Sequence, residues 1–289
     1  MALIPPFYID TVVALGTYDD KGEPRWTASG FLYGDFSHTA DDNHKYYRVY
    51  LVTNRHVVDG EPRLCLRCNP QAEEPAHTYD VDLLKADGSS LWFASPRAEA
   101  DVAVVPINVA VLREHGMKFG YFRGDQDAAT IDRMNELGIT EGDFAYVLGF
   151  PMGLIGGDRN FVIVRSGSIA RVRDALNKTS QEFLVDAFVF PGNSGGPVIL
   201  KPELARIEGT SATRTAHLIG VVARYVPYTD VAVSMQTKRP RVIFEEKSGL
   251  TAVQPIDFVQ EAIQEHRKTL SAEGGSVATA TEAEAPPGD

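Results

Sequence analysis

The chain is poor in cysteine. Cys65 and Cys68 are the only two among 289 residues, and their Cys-x-x-Cys spacing suggests zinc or redox chemistry at first sight. A structural zinc site needs further ligands, and the sequence has neither a second Cys-x-x-Cys pair nor a paired histidine motif. The alternating segment from Arg63 to Cys68 is typical of a strand, which places the two thiols on opposite faces. We therefore interpret both as ordinary structural cysteines and expect neither a metal nor another cofactor.

Basic residues and long apolar runs are also scarce. Lysine and arginine number 28 against 39 acidic residues, a net charge of −11, which argues against nucleic-acid or anionic-membrane binding as the main task. No apolar run approaches the length of a membrane span. The segment from Met1 to Tyr8 has neither the basic region nor the long apolar stretch of a secretory signal. If Met1 is the native start, we expect a cytoplasmic protein.

What the chain does contain is a series of short β-rich runs, bounded by Gly, Pro, Asp or Asn. This pattern is typical of antiparallel barrels, and a hydrophobic content of 44% is enough for a sizeable core. The first set of runs is Thr11–Leu15, Trp26–Tyr33, Arg48–Thr53, Arg63–Cys68 and Val102–Val105. The second set is Phe144–Leu148, Phe161–Arg165, Ser168–Val172, Phe183–Val185, Val198–Leu200 and Leu218–Ala223.

We therefore predict an all-β protein of two antiparallel barrels, about 8–112 and about 141–255. The linker, about 113–140, contains one possible short helix from Asp127 to Leu137. After Pro255, apolar residues recur at helical spacing and predict a surface helix at about 256–268. Residues 269–289 are mostly small, polar or acidic without periodicity, which predicts a disordered tail.

Ser194 lies in a glycine-dense turn, Pro191–Pro197. Glycines on both sides leave its hydroxyl unshielded and let backbone amides turn toward a ligand. Such a turn can present a nucleophile together with hydrogen-bond donors for a developing oxyanion.

Two other segments supply the partners that a serine nucleophile needs. His56 follows a strand-like run and can accept and return a proton near neutral pH. Asp101 precedes another run and would accept the other ring N–H, which holds the correct tautomer. The order His, Asp, Ser is one of the known orders of a hydrolytic triad. Their separations place one barrel before Asp101 and the other around Ser194.

The segments T-x-x-H-V-V, D-V-A-V-V and G-N-S-G-G-P, in this order, resemble the trypsin-like serine proteases of the chymotrypsin fold. The similarity is greatest to the bacterial HtrA-type branch and extends over roughly residues 8–268. It implies a serine endopeptidase that forms an acyl-enzyme, with His56, Asp101 and Ser194 as the triad. It also implies an oxyanion hole made by the backbone amides of Gly192 and Ser194. HtrA-type proteins carry a PDZ domain, whereas here we expect none after the predicted helix.

The same resemblance places the walls of the specificity pocket. The segment before the nucleophile turn would form one wall, and an extended peptide would pair with the backbone of the other. The pocket-base position falls near Phe188, which offers no carboxylate to attract Lys or Arg. We therefore expect cleavage after small or medium apolar residues. The predicted substrate-binding residues are Phe188, Val222, Ala223, Arg224 and Tyr225.

Asn193 departs from the digestive enzymes of this family. They have an aspartate there, which pairs with a new N-terminal amine after zymogen cleavage, and asparagine cannot form that ion pair. We therefore expect no maturation by N-terminal clipping. Secreted members of the fold usually carry disulfides, whereas two thiols fit a reducing compartment.

Two alternative functions stay open. The segment Gly192–Gly196 also fits the G-x-S-x-G elbow of α/β-hydrolases, but that elbow requires a helix directly after the serine. Here Pro197 interrupts, and Val198–Leu200 indicates a strand. The second alternative is a catalytically silent binding or scaffold protein on a protease fold. The leading hypothesis is a serine endopeptidase whose partner is a protein or peptide substrate.

Overall fold

A computed structural model describes residues 4–41, 43–203, 215–272 and 282–285 of the chain. The described N-terminal half forms a nine-stranded sheet, and the C-terminal half forms a closed six-stranded barrel. The predicted all-β fold class of the chymotrypsin type is therefore confirmed. In the described residues, the strand pairs of the N-terminal sheet do not close into a complete ring.

The N-terminal sheet is built around three long neighbouring strands. Its strands are β1 (Val12–Tyr18), β2 (Pro24–Thr39), β3 (Lys45–Thr53), β4 (Arg63–Cys68), β5 (His77–Asp82), β6 (Phe93–Ala94), β7 (Ala103–Pro106) and β8 (Phe122–Arg123), joined near the C-terminus by β15 (Glu282–Glu284). Their order is β5-β4-β1-β2-β3-β7-β6, with β8 paired to β2 and β15 to β3. Most apolar and aromatic residues of β1 to β3, among them Leu15, Phe31 and Tyr50, are fully buried, which makes these strands the centre of this half.

The C-terminal barrel contains six antiparallel strands. They are β9 (Phe144–Gly149), β10 (Ile163–Arg171), β11 (Phe183–Asp186), β12 (Pro197–Leu200), β13 (His217–Val233) and β14 (Pro240–Pro255). The barrel closes in the order β10-β11-β14-β13-β12-β9, so that none of its six strands lacks a neighbour on either side. Inward-facing residues such as Val147, Val185 and Val253 are fully buried in its interior.

Short helices connect the two halves and close the chain. They are α1 (Pro6–Ile9), α2 (Arg55–Val58), α3 (Val109–Glu114), α4 (Ile131–Leu137), α5 (Arg173–Leu176) and α6 (Asp257–Ala272). Helix α6 buries Val259 and Ile263, two of the residues whose spacing predicted it. Helix α4 begins at Ile131, later than the predicted Asp127, because Ala128 forms a β-bridge with Leu218 and Thr130 caps the helix. No helix in the described ranges is long and apolar enough to cross a membrane.

One hydrophobic cluster spans both halves. It contains Phe31 and Tyr50 from the sheet, Leu148 and Ile199 from the barrel, and Ile263 from α6. All five side chains are at most 2% exposed. Because burying such a side chain is worth about 1.5–3 kcal/mol, this cluster holds the two halves against each other. The turns that lie at this junction are therefore held in fixed positions relative to each other.

The C-terminal residues depart from the prediction. Residues 269–272 continue α6, and Glu282–Glu284 forms β15 against β3. Ala283 is 1% exposed, and Tyr121 Oη donates a 2.5 Å hydrogen bond to the Glu284 carbonyl. The predicted disordered tail at 269–289 is therefore wrong for these residues, because a short strand can bury its backbone on an open edge. Residues 273–281 and 286–289, like Met1 to Leu3, lie outside the described part.

Both thiols are buried on β4 and unpaired. Burial raises the pKa of Cys65 to about 11 and that of Cys68 further still. A thiol with a raised pKa is a poor nucleophile and metal ligand at neutral pH. Within the described ranges, no group of three or more His, Cys, Asp or Glu side chains could hold a metal ion.

Candidate active site

Strand pairing brings His56 and Asp101 together. Strands β3 and β7 are antiparallel, with Thr53 at the end of β3 opposite Ala103 at the start of β7. His56 follows Thr53 on the short helix α2, and Asp101 precedes Ala103. In an antiparallel pair the end of one strand lies beside the start of the other, so both residues lie at the same end of these two strands.

Two hydrogen bonds join these residues. His56 Nδ1 lies 2.6 Å from Asp101 Oδ2, and the His56 backbone N–H donates to Asp101 Oδ1 at 2.9 Å. Asn54 Nδ2 also donates to the Asp101 carbonyl at 2.7 Å. With its Nδ1 side turned to the carboxylate, the imidazole of His56 leaves Nε2 free for chemistry, and its side chain is 53% exposed. This is the orientation that a general base requires.

Ser194 lies on a turn docked against the same strand ends. The Ser29 N–H on β2 donates to the Ser194 carbonyl at 2.9 Å. A side chain at Gly195 would place its Cβ 2.3 Å from both the Ser29 carbonyl and Thr53 Oγ1. Only glycine permits this approach, since it has no Cβ and its φ here is +81°. The nucleophile turn thus abuts the end of β3, next to the helix that carries His56.

The third contact of a triad is not formed in this structure. Among the hydrogen bonds of the described residues, none joins Ser194 Oγ to His56 Nε2. Ser194 is half-buried, and His56 is open to solvent. Catalytic hydrogen bonds are often long without substrate and tighten only when it binds.

The residues before Ser194 form a type II turn. Asn193 N–H donates to the Phe190 carbonyl at 2.9 Å, with Pro191 and Gly192 at the two central positions. Gly192 has a φ of +100°, which this turn requires at its second central residue. The Asn193 side chain supports the turn, since its Oδ1 accepts the Phe190 N–H at 3.0 Å.

The Met152 backbone holds the central peptide of this turn. Its N–H donates to the Pro191 carbonyl at 2.6 Å. In a planar trans peptide the C=O and N–H point in opposite directions, so this bond directs the Gly192 N–H away from Met152. Within the described part of the chain, neither the Gly192 nor the Ser194 amide donates to a protein oxygen. Both amides therefore stay available to an anion, as the predicted oxyanion hole requires.

Two positioning residues were missed by sequence analysis. The Ser29 hydroxyl donates to the Gly192 carbonyl at 2.6 Å and accepts the Phe150 N–H at 2.9 Å. The buried Gln254 accepts the Asp101 N–H through its Oε1 at 2.7 Å. A serine inside an apolar strand run could have signalled the first. Nothing local in the sequence signals the second.

Ser29→Ala is expected to lower kcat by about tenfold or more with little change in KM. The substitution leaves the buried Phe150 N–H and Gly192 carbonyl unpaired, which costs about 1–3 kcal/mol of local order where the oxyanion turn is held. Steady-state kinetics on a peptide substrate checks this. Thr11→Ala is the matched control, because it removes a buried hydroxyl whose 2.7 Å hydrogen bond to the Tyr8 carbonyl lies in another part of the sheet. An equal loss of kcat in both variants would show that only global stability had changed.

The predicted substrate-binding residues fall into two groups. Val222 and Ala223 are buried on β13, whereas the Phe188 side chain is 54% exposed. Ala223 lies at a bulge between Val222 and Arg224, so its backbone has no partner residue on β14. Strand β12 pairs with β13 as far as Val221, and the Val222 backbone then exchanges hydrogen bonds with Gly195 and Gly196. The edge of β13 that is open to an extended peptide therefore begins at Ala223.

Arg224 and Tyr225 are engaged with carboxylates. The Arg224 guanidinium donates to both oxygens of Glu182, at 2.9 and 3.3 Å, and Tyr225 Oη donates to Glu245. That hydrogen bond to Glu245 raises the pKa of Tyr225. The Arg224 charge is therefore already neutralised at the rim of the site.

The sequence matches a known protein family. A family model described as the trypsin-like peptidase domain matches residues 28–203, more than half of the chain. That range contains His56, Asp101 and Ser194. The chain therefore belongs to the trypsin-like peptidase domain family, and the predicted resemblance is confirmed.

Individual relatives are distant. A probable periplasmic serine endoprotease, DegP-like, from Pseudomonas savastanoi pv. phaseolicola is 24% identical over 174 residues, covering 60% of this chain and 29% of the relative. The chain thus spans less than a third of that relative's length. The apo crystal structure of the MamO protease domain from Magnetospirillum magneticum aligns with a TM-score of 0.44 and 13% identity, over 88% of this chain and 96% of that one.

Proposed function

We propose that the protein is a serine endopeptidase that hydrolyses peptide bonds through Ser194, His56 and Asp101. The observation that carries the proposal is the hydrogen-bonded pair of His56 and Asp101. The pair lies at the strand ends against which the turn with Ser194 packs. His56 Nε2 would take the Ser194 proton as the hydroxyl attacks the substrate carbonyl. Asp101 holds the ring tautomer and stabilises the imidazolium that forms.

The Gly192 and Ser194 amides would stabilise the negative charge that develops on the carbonyl oxygen. Donors aimed at this oxyanion form the largest single electrostatic contribution to acyl transfer. Collapse of the tetrahedral intermediate expels the amine, which receives the proton from His56, and leaves an acyl-enzyme on Ser194. A water molecule then attacks the acyl-enzyme with His56 as the base, which releases the second product and restores the Ser194 hydroxyl.

The substrate is an extended polypeptide that pairs with the open edge of β13. The bulged Ala223 and the end of the β12 pairing support this docking mode. For the primary pocket we propose small or medium apolar residues, because the neighbouring Val189 and Val222 are buried and apolar. A cytoplasmic location stays a prediction.

A peptide library with every residue type before the scissile bond tests both the activity and the pocket. We expect hydrolysis after Val, Ala or Leu and poor hydrolysis after Lys or Arg, since no carboxylate is available at Phe188. Cleavage sites are read by mass spectrometry. Cleavage mainly after basic residues would show that the pocket walls have been assigned to the wrong segments. No cleavage of any member would contradict the proposed activity.

A further inference from the structure

Two cationic side chains converge on one aromatic ring beside the oxyanion turn. Lys247 on β14 places Nζ 3.5 Å from the centre of the Phe190 ring, and Arg165 on β10 places its guanidinium carbon 5.1 Å from the same centre. Lys247 Nζ also lies 5.3 Å from the Tyr225 ring. These distances are those of cation–π contacts. Two strands that are not paired with each other thus bring two positive charges to the same aromatic ring.

Neither cation has a carboxylate partner among the described residues, and Arg165 Nε is buried without any hydrogen-bond acceptor. The neighbouring acids are already bound, Glu182 by Arg224 and Glu245 by Tyr225. In a chain with 39 acidic and 28 basic residues, two adjacent bases without an acid are an exception. Buried polar groups normally have partners, and an unsatisfied one calls for a ligand.

The two charges act on each other. Burial first, and the Arg165 charge second, lower the pKa of Lys247. Like charges held this close in a partly desolvated place are unfavourable on their own. An incoming carboxylate would offset both positive charges and would accept charge-assisted hydrogen bonds from them.

The ring that carries these cations belongs to the catalytic turn. The Phe190 carbonyl accepts the Asn193 N–H, and its own N–H donates to Asn193 Oδ1. Phe190 therefore begins the type II turn that contains Gly192. Tyr225, against which Lys247 also lies, is the last residue of the predicted peptide-binding edge on β13.

We propose that Arg165 and Lys247, seated on Phe190, form a subsite for the carboxylate of an acidic substrate residue on the N-terminal side of the scissile bond. The subsite rests on the proposed peptidase function and adds a second specificity determinant beside the apolar primary pocket. It selects peptides with Asp or Glu near the cleaved bond over their amide analogues. Arg165 and Lys247 act by binding substrate and take no part in the bond-breaking steps.

The test uses peptides blocked at both ends, so that side chains are the only source of a carboxylate. Val stands directly before the cleaved bond, and Glu or Gln occupies in turn each of the three positions before it. We expect one position to show a kcat/KM at least about tenfold higher for Glu than for Gln, the value of one charge-assisted hydrogen bond. This ratio should shrink as salt is raised. A ratio near one at all three positions would overturn the subsite.

Variants assign the effect to the two cations. Lys247→Met keeps the stem over the Phe190 ring without its charge and should bring the Glu/Gln ratio close to one, as should Arg165→Gln. Lys247→Arg should retain most of the preference, and wild-type-like melting of each variant excludes misfolding. The matched control is Lys201→Gln, because Lys201 lies over Phe144, 4.9 Å from the ring centre, as a similar cation–π pair on β9. An unchanged ratio in Lys247→Met and Arg165→Gln would refute the assignment.

Peptide binding to the inactive variant Ser194→Ala tests the subsite independently of catalysis. Calorimetry with the uncleaved Glu and Gln peptides should show tighter binding of the Glu peptide, and Lys247→Met in this background should abolish the difference. If no peptide is hydrolysed by the wild-type protein but the binding difference is present, the proposed activity fails and the subsite stands. Equal binding of both peptides contradicts the subsite, whatever the activity.

Discussion

Ser194→Ala is expected to abolish peptide hydrolysis while leaving the fold intact. Ser194 is half-buried in a glycine turn, and the one hydrogen bond that anchors it to Ser29 is accepted by its backbone carbonyl. Removing Oγ therefore deletes the nucleophile without disturbing the contacts that hold the turn. In a serine protease of another fold, loss of this oxygen lowered kcat by about 2 × 10⁶. Steady-state hydrolysis of a peptide substrate and thermal melting measure the two effects.

Labelling with a fluorophosphonate probe, which reacts with an activated serine, distinguishes the enzyme from the catalytically silent scaffold. Wild-type protein should be labelled at Ser194, and Ser194→Ala should not be labelled. Ser166→Ala on β10 is the control, because it removes an exposed serine hydroxyl outside the site. A silent protease-fold scaffold would resist labelling in all three proteins. Near-normal hydrolysis by Ser194→Ala would contradict the mechanism itself.

Asp101→Asn is expected to lower kcat by about 10⁴. The asparagine Oδ1 can still accept the His56 backbone N–H, so the loop should keep its place. Its amide group would donate to His56 Nδ1 where the carboxylate now accepts, and the ring would be held in the wrong tautomer. With Nδ1 accepting a hydrogen bond, Nε2 carries the single proton of the neutral ring and cannot take a proton from Ser194.

Kinetics across a pH range and thermal melting check this second prediction. Melting close to that of the wild type shows that the variant lost chemistry rather than structure. Asp80→Asn, at an exposed ion pair with Arg63 on the far edge of the sheet, is the matched control and should keep full activity. A loss of less than about tenfold for Asp101→Asn would mean that His56 needs no carboxylate to hold its tautomer.

Much of the fold could be predicted from local patterns. The alternating run Arg63–Cys68 and the apolar run Val198–Leu200, both predicted as strands, coincide with β4 and β12 almost residue for residue. The spacing of Ile256, Val259 and Ile263 predicted α6, since one face of a helix repeats every 3.6 residues. Such signals depend only on residues that are close together in the sequence, so they predict an element without a structure.

Other elements depend on contacts between distant residues. The two predicted strands Phe161–Arg165 and Ser168–Val172 merge into β10, because Gly167 lies too close to the Asp186 carbonyl to carry a side chain and stays in the sheet. Strand β14 and the outer half of β13 were not predicted. The outer halves of both strands are exposed and bury no core, and the buried inner end of β14, residues 251–255, mixes polar with apolar side chains. Strand β15 was also missed, because its partner β3 is more than 230 residues away in sequence.

The sequence by itself determined the family, the all-β class and the identity of the candidate nucleophile, base and acid, because each is written in a short segment with its own chemistry. Only the tertiary structure decided how these groups are held. The Pro191 carbonyl meets Met152, the Ser29 hydroxyl meets Gly192, and Gln254 meets Asp101. The same holds for Arg165 and Lys247 on Phe190. These contacts join residues far apart in the chain, and their strength depends on distance and burial, which exist only after folding.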